Sequence, residues 1–375
     1  MLRPFGEGPK VSLFTLGTMR ALESADQMYA VVKRALLAGI NHIETAPAYG
    51  PAEIFLGQSL KRLKAEGLEP EGGWVITSKL LPGVSIEEAK KQLKFVLERL
   101  GLPKIDNLAI HGLNLHEHLD WATKGDGGDF LKWAKQENLI GQVGFSSHGS
   151  YSLIQEALEC NQFNFCSLHV HLLDPRRIPL AKIALKKGMG VIAISPADKG
   201  GRLQDPSSTL IEDCAPIPPL ELAYRFLLNE GISTLTVGAF HPKDLDLPKV
   251  IMSNFGPLNK LEKHLIKDLP EKMKARLGKN FCGSCEACLP CPKEVPIPEL
   301  LHLRNLLLGH DLKAFTEERY NLIGKAGHWW ELINANACEK CGECVPRCPY
   351  RLNIPYLLEE THCKLVSNPR RRLWN

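Results

Sequence analysis

The chain has 375 residues, 44% of them hydrophobic and 23% charged, with a formal net charge of +4. That is an ordinary soluble composition, long enough for one large domain and a smaller one. So small a positive balance gives no reason to expect nucleic acid as a partner, and the basic run Arg370-Arg371-Arg372 reads as a solvated end. No segment approaches the ~20 apolar residues of a membrane span, and no apolar run of signal-peptide type opens the sequence. The expected setting is cytoplasmic, where twelve cysteines point to metal ligation or thiol chemistry over disulfides.

From residue 10 to 252, short apolar runs alternate with amphipathic stretches. Strands are expected at Val11–Leu16, Ile40–Glu44, Trp74–Lys79, Asn107–Ile110, Gln142–Phe145, Phe163–Leu168, Val191–Ile194 and Thr234–Val237. Between them, Ala25–Leu37, Ile86–Leu100 and Leu153–Glu159 repeat apolar residues at three and four, as helices do. Asp126-Gly-Gly-Asp129 reads as a helix entry with Asp129 as N-cap. Eight strands, each followed by a helix, over ~240 residues predict a (β/α)8 TIM barrel in the α/β class. A doubly wound sheet fits the same alternation. However, no G-x-G-x-x-G follows the first strand, which runs on as Leu16-Gly17-Thr18-Met19.

In a barrel the catalytic groups sit at the strand C-termini. Those ends carry Glu44 and Tyr49 after the second strand, Lys79 after the third and His111 after the fourth. Taken singly, Lys79 reads as a surface cation, His111 as a satisfied histidine and Tyr49 as a loop aromatic. Four ionisable groups at three consecutive strand ends would instead meet at one mouth.

Cysteines divide the chain unevenly: three before residue 282 (Cys160, Cys166, Cys214), nine from there to Cys363. The change follows the charged helical stretch Leu261–Lys279 and sets the expected domains at 1–270 for the barrel and 271–375 for a second, α-helical one. One run is Cys282-Gly-Ser-Cys285-Glu-Ala-Cys288-Leu-Pro-Cys291-Pro292; the other is Cys338-Glu-Lys-Cys341-Gly-Glu-Cys344-Val-Pro-Arg-Cys348-Pro349. Three cysteines at two-residue spacing present thiolates to three irons of a cubane, and the fourth, before proline, ligates the cluster of the other run. Two [4Fe–4S] clusters follow: one on Cys282, Cys285, Cys288 and Cys348, the other on Cys338, Cys341, Cys344 and Cys291. The first run is one residue short of the usual C-x3-C-P ending. Paired C-x2-C runs also make zinc sites, but triple runs closing twice on Cys-Pro favour clusters. Helical spacing in Ile297–Leu308 gives the region a resemblance to the α-helical type of ferredoxin domain. The remaining Cys160, Cys166, Cys214 and Cys363 are expected as buried free thiols.

The larger region resembles the aldo/keto reductase family over nearly all of residues 10–245. Gly39-Ile-Asn-His-Ile-Glu44-Thr-Ala-Pro-Ala-Tyr49-Gly50 is similar to that family's second-strand signature, Ile76-Thr-Ser-Lys79, Leu108-Ala-Ile-His111 and Val143-Gly-Phe-Ser-Ser147 to its next three strand ends, and Gly188–Pro196 and Thr234-Leu-Thr-Val-Gly-Ala to its last two. The resemblance implies a barrel binding NADP(H), with Tyr49 as general acid, Lys79 as the cation beside it, Glu44 holding Lys79 and His111 orienting a carbonyl. It also implies that Ser146, Ser147 and Ser167 face the nicotinamide, Ser195 and the Lys199–Arg202 loop the pyrophosphate, and Gly238 to Asp244, with Lys243, the adenosine end. The chain departs from the family in five places: Glu44 stands for the usual Asp, Ser167 for Gln, His171 for Asn, Ile194 for the aromatic beneath the nicotinamide, and Asp246-Leu-Pro for the acid–amide pair at the adenosine end. With its cysteine-rich tail the whole chain is similar to the ferredoxin-domain branch of the family.

A nicotinamide passes two electrons as hydride and each cluster takes one, so three readings stand. In the first, the chain reduces a small aldehyde or ketone while its clusters are structural or relay electrons from a donor such as ferredoxin. In the second, the barrel has lost hydride chemistry and the chain is an electron-transfer or redox-sensing protein. Or the barrel is a binding scaffold and the clusters are folding staples.

Overall fold

The computed structural model describes residues 1–367, so the Arg370-Arg371-Arg372 run lies outside the described residues. The chain forms two compact units. One comprises Met1–Gly200 and Ala223–Leu258; the other combines Gly201–Leu222 with the described residues from Asn259 onward.

In the first unit, β1 (Leu2–Arg3) pairs antiparallel with β2 (Val11–Ser12). Eight strands then close a parallel barrel: β3 (Phe14–Gly17), β4 (His42–Glu44), β5 (Val75–Leu80), β6 (Ile105–Ile110), β7 (Ile140–Ser147), β8 (Phe165–Leu168), β9 (Gly190–Ala193) and β10 (Thr234–Gly238). The eight-strand expectation holds, with one correction. Val11–Leu16 is two strands, because Val11 and Ser12 turn away to pair with the N-terminus and only Phe14 onward enters the barrel. Helices Ala25–Leu37 and Ile86–Leu100 fall as expected, each opened by a serine side chain accepting a backbone N–H. The helix Asp126–Gln136 is capped by Gly125 and not by Asp129, which lies inside its first turn.

Phe5 plugs the N-terminal end of the barrel. It is fully buried, with ring centroids 5.2 Å from Phe165 and 5.4 Å from His42. A Cβ at Gly190 would come within 2.4 Å of the Phe5 ring, so the plug requires glycine there. Beside it, a chain of hydrogen bonds crosses six strands. Thr15 Oγ1 lies 2.7 Å from both Thr234 Oγ1 and His42 Nδ1; His42 Nε2 is 2.7 Å from Thr77 Oγ1. Asn107 Nδ2 donates to Thr77 Oγ1 at 2.9 Å, and Gln142 Nε2 donates to Asn107 Oδ1 at 2.8 Å and to Phe5 O at 3.0 Å. A polar chain inside a barrel is tolerable only when its members are satisfied by one another, and these pin the strand register.

The second unit is helical: Ser208–Cys214, Lys260–Leu277, Ile297–His310, Lys313–Asn321 and Ile354–Leu365. An Asn259–Glu262 capping box starts the second of these. Asp213, 3% exposed, holds the Gly201–Leu222 segment against it. Arg276 grips the carboxylate with both terminal nitrogens, at 2.5 and 2.7 Å, and His310 Nδ1 lies 3.0 Å away. Among the described residues no helix is long and apolar enough to cross a membrane.

Two predictions follow from these buried polar groups. Burial, and then the Lys79 charge, push the His42 imidazole down to about 3. The unfolded chain binds a proton near pH ~6.5 that the folded barrel refuses, so this stabilisation is complete above ~6.5 and lost as pH falls from there toward 3. His42→Gln should therefore flatten the acid slope of the barrel's thermal midpoint across that window; an unchanged slope would refute the assignment. Asp213→Ala leaves Arg276 and His310 facing a site without its anion. It should cost the second unit ~3 kcal/mol, read in calorimetry as an earlier transition for that unit alone.

Candidate functional site

The C-terminal ends of β4, β5 and β6 bring Glu44, Lys79, Tyr49 and His111 together. Strand alternation puts His42 and Glu44 on the same face of β4, with Glu44 above His42 and toward the mouth. Lys79 is 1% exposed. Its ammonium donates to the Glu44 carboxylate, to Thr45 O at 3.2 Å and to Tyr49 Oη at 2.9 Å. An ammonium has three hydrogens, and all three have acceptors. The cation also lies 4.7 Å from the centre of the Tyr49 ring. His111 follows β6 directly, is 8% exposed and meets the Tyr49 ring edge-on, centroids 5.8 Å apart.

Glu44 is one methylene longer than the aspartate the resemblance leads one to expect, and Gly17 makes room for it. A Cβ on Gly17 would stand 3.2 Å from Glu44 Oε1 and 2.8 Å from Thr236 Cγ2. Burial alone would push the Lys79 ammonium down, but Glu44 and Tyr49 together more than offset that and the net shift is upward. For Tyr49 the outcome differs from the simple expectation that a neighbouring cation lowers a phenol. Burial raises it, Lys79 pulls it down, Glu44 raises it again, and the sum is upward. The phenol keeps its proton. Because Lys79 donates to Oη, that proton points elsewhere.

The residues expected along a nicotinamide cofactor lie at the remaining strand ends. Ser167, on β8, has a buried hydroxyl with no hydrogen-bond partner among the described residues, and so has Thr236 on β10. A buried hydroxyl left so is costly, and an amide or phosphate oxygen arriving there would relieve it, so this part of the mouth fits a nicotinamide cofactor. Ser146 and Ser147 end β7, but both hydroxyls already serve the fold. Ser146 Oγ accepts from Gly112 N at 3.0 Å, and Ser147 Oγ donates to Leu113 O at 2.6 Å. Ser195, two residues past β9, takes a left-handed φ of 47°. Lys199 Nζ lies 3.4 Å from His148 Nε2 in the turn that follows. Gly238 closes β10, and Lys243 is exposed on the single turn Pro242–Leu245. The residues that sequence reasoning passed over are Gly17, His42 and Thr236. The period-2 alternation about Glu44 was the available signal for His42.

In the second unit the cysteines gather in two fours. Cys282, Cys285, Cys288 and Cys348 line one hollow; Cys291, Cys338, Cys341 and Cys344 line another. None of the eight is in a disulfide. Both runs bend alike: Ser284 and Glu286 have φ of 49° and 62°, and the corresponding Lys340 and Gly342 have 58° and 81°. Three of those four are not glycine, and left-handed backbone at such residues costs of order 1 kcal/mol each. Burial, reinforced by neighbouring thiols, pushes Cys288 up to about 12 and raises Cys282 and Cys344. Four thiolates there need positive charge between them. Among the described residues no three His, Cys, Asp or Glu side chains close on a single ion. Of the other cysteines, Cys166 and Cys214 are buried as expected, whereas Cys160 and Cys363 are exposed. Each of those two follows or sits near a helix end, where the side chain faces outward.

Comparison with known proteins places the barrel. The description "Aldo/keto reductase family" matches residues 14–247, more than half the chain, and stops short of the cysteine runs. An aldo-keto reductase from Mycolicibacterium vanbaalenii is 27% identical over 209 residues, 53% of this chain and 69% of that protein. An L-galactose dehydrogenase from Arabidopsis thaliana is 26% identical over 263 residues, 62% of this chain and 78% of that one. Among solved structures, an aldo-keto reductase from Bacillus halodurans in its holo form shares the fold with a TM-score of 0.60 at 21% identity, over 71% of this chain and 95% of that one. The Bombyx mori aldo-keto reductase in complex with NADP gives 0.57 at 20% identity, over 72% and 92%. The chain thus belongs to the aldo/keto reductase family, oxidoreductases that work with NAD(P)H.

Proposed function

We propose that this protein is an iron–sulfur aldo/keto reductase that reduces a small aldehyde or ketone with NADP(H). The observation that carries the reading is the buried Lys79 ammonium, whose three hydrogens are directed to Glu44, Thr45 O and Tyr49. NADP(H), when bound, supplies the hydride. Tyr49 then gives its proton to the carbonyl oxygen, the product being the alcohol, and Lys79 stabilises the phenolate left behind. Glu44 holds Lys79 charged and in place. His111, edge-on to Tyr49, orients the carbonyl oxygen by hydrogen bonding. Ser167 takes the carboxamide end with Ser146 and Ser147, whose hydroxyls already brace the loop after β6 and so act through the backbone they hold. Ser195, Lys199, Gly238 and Lys243 run toward the pyrophosphate and adenosine.

The expected division at 270/271 falls inside the helix Lys260–Leu277, which belongs to the second unit. We assign the barrel unit to the reductase and the helical unit to a ferredoxin-like domain with two [4Fe–4S] clusters. Their ligands are Cys282, Cys285, Cys288 and Cys348 for one cluster and Cys291, Cys338, Cys341 and Cys344 for the other. Two observations support this. The eight thiols divide into two fours, each taking one cysteine from the opposite run, as interlocked cluster ligation requires. The two runs also carry left-handed residues at the same two positions after their first cysteine, as two like centres would ask of them. The clusters either brace this domain or relay single electrons from a protein donor such as ferredoxin.

Tyr49→Phe should lower turnover of a reducible aldehyde 10²–10⁴-fold with the cluster absorbance unchanged; retained turnover would overturn the acid assignment. Protein purified without oxygen should hold about eight irons and eight sulfides per chain, and NADPH should raise its thermal midpoint. Colourless protein carrying zinc would remove the cluster reading, and no response to NADPH the reductase reading.

A further inference from the structure

The two hollows are held by different kinds of contact. Around the second, the side-chain ties lie at the surface: the ion pairs of Lys293 with Glu339 at 2.8 Å and Lys340 with Glu359 at 2.9 Å, all four side chains at least half exposed, and the solvent-facing bonds of Arg347 to Pro290 O at 2.8 Å and Glu343 O at 3.0 Å. Such pairs contribute little. The first hollow has two consecutive buried residues of the helix Ile297–His310 behind it. Arg304 is 3% exposed and Asn305 1%. The Asn305 amide donates to Cys282 O at 2.7 Å, and its oxygen receives the longer bond from Cys282 N at 3.5 Å. It thus meets both backbone groups of the first cysteine, as a paired strand would. Arg304 donates to Asn280 O at 3.1 Å and to Glu360 Oε2 at 2.6 Å, joining the entry to the first run to the helix Ile354–Leu365 that follows the second. Next to them Ser284 N donates to Cys282 Sγ at 3.4 Å.

A side chain that fixes the backbone of a ligand residue sets where its sulfur stands before the metal arrives, and outer partners of this kind govern affinity. Resting on the cluster reading above, we infer that Asn305, backed by Arg304, is the positioning residue for the first cluster. It holds Cys282 so that this hollow is preformed, whereas the second takes shape around its iron. The first cluster therefore depends on Asn305 and the second does not.

Asn305→Asp tests this with almost no change of shape. The carboxylate cannot donate to Cys282 O and places charge against it. Iron and sulfide should fall from about eight toward about four of each per chain, and the reduced protein should change from two interacting paramagnetic centres to one isolated signal. Adding Cys285→Ala to that variant should remove no more iron, while adding Cys341→Ala should remove nearly all that remains. About eight irons with an unaltered spectrum in Asn305→Asp would overturn the inference. Loss of both clusters together, with an earlier thermal transition of the unit, would overturn it too, since Asn305 would then be a general support. A parent protein without iron would fail at the earlier step, as a failure of the cluster reading itself.

Discussion

A lysine ammonium withdrawn almost entirely from water is the constraint on which the mouth of this barrel depends. Lys79 is 1% exposed, and such a charge survives only if every hydrogen it carries finds an acceptor and a counter-charge stands close by. Glu44 provides the charge, Thr45 O the second acceptor and the Tyr49 oxygen the third. The rest follows from that demand. Gly17 has no side chain because the longer Glu44 lies where one would go. Tyr49 cannot give its proton to Lys79, since Lys79 donates to it, so the proton stays available for another acceptor. His42, one alternation below Glu44, is kept neutral by burial and by the same lysine.

The cysteine-rich unit obeys a comparable constraint of opposite sign. Eight thiols divide between two hollows, and burial raises the thiols of Cys288 and Cys344. Metal would supply the compensating charge. The two runs adopt the same pair of left-handed residues, although their sequences share little beyond the cysteines. The left-handed residues, Ser284 and Glu286 in one run and Lys340 and Gly342 in the other, fall two and four positions after the first cysteine in both.

Much of this was legible in the chain itself. Apolar runs of strand length alternating with helical periodicity, eight times over, leave few architectures, because a parallel strand needs a crossover helix before the next. Ionisable residues at successive strand ends had to converge once a barrel closed. Cysteine spacing separated eight of the thiols into two runs, because a two-residue gap is a local pattern read directly from the chain. Other features were not legible. Val11 and Ser12 look like barrel residues by composition, and only pairing with Leu2 and Arg3 takes them out. Nor did periodicity single out Asp213, which matters because Arg276 and His310 arrive from residues far along the chain.

Sequence alone determined the kinds of group present and their order: an acid, a phenol, an amine and an imidazole at strand ends, and thiols in two runs of four. Those are properties of local spacing, and local spacing is written in the chain. Tertiary structure decided what each group does to its neighbour. That the Tyr49 phenol is raised despite the lysine beside it, and that Cys291 stands with the second run, depend on burial and on distances between residues remote in sequence. Burial and distance exist only once the chain has closed on itself.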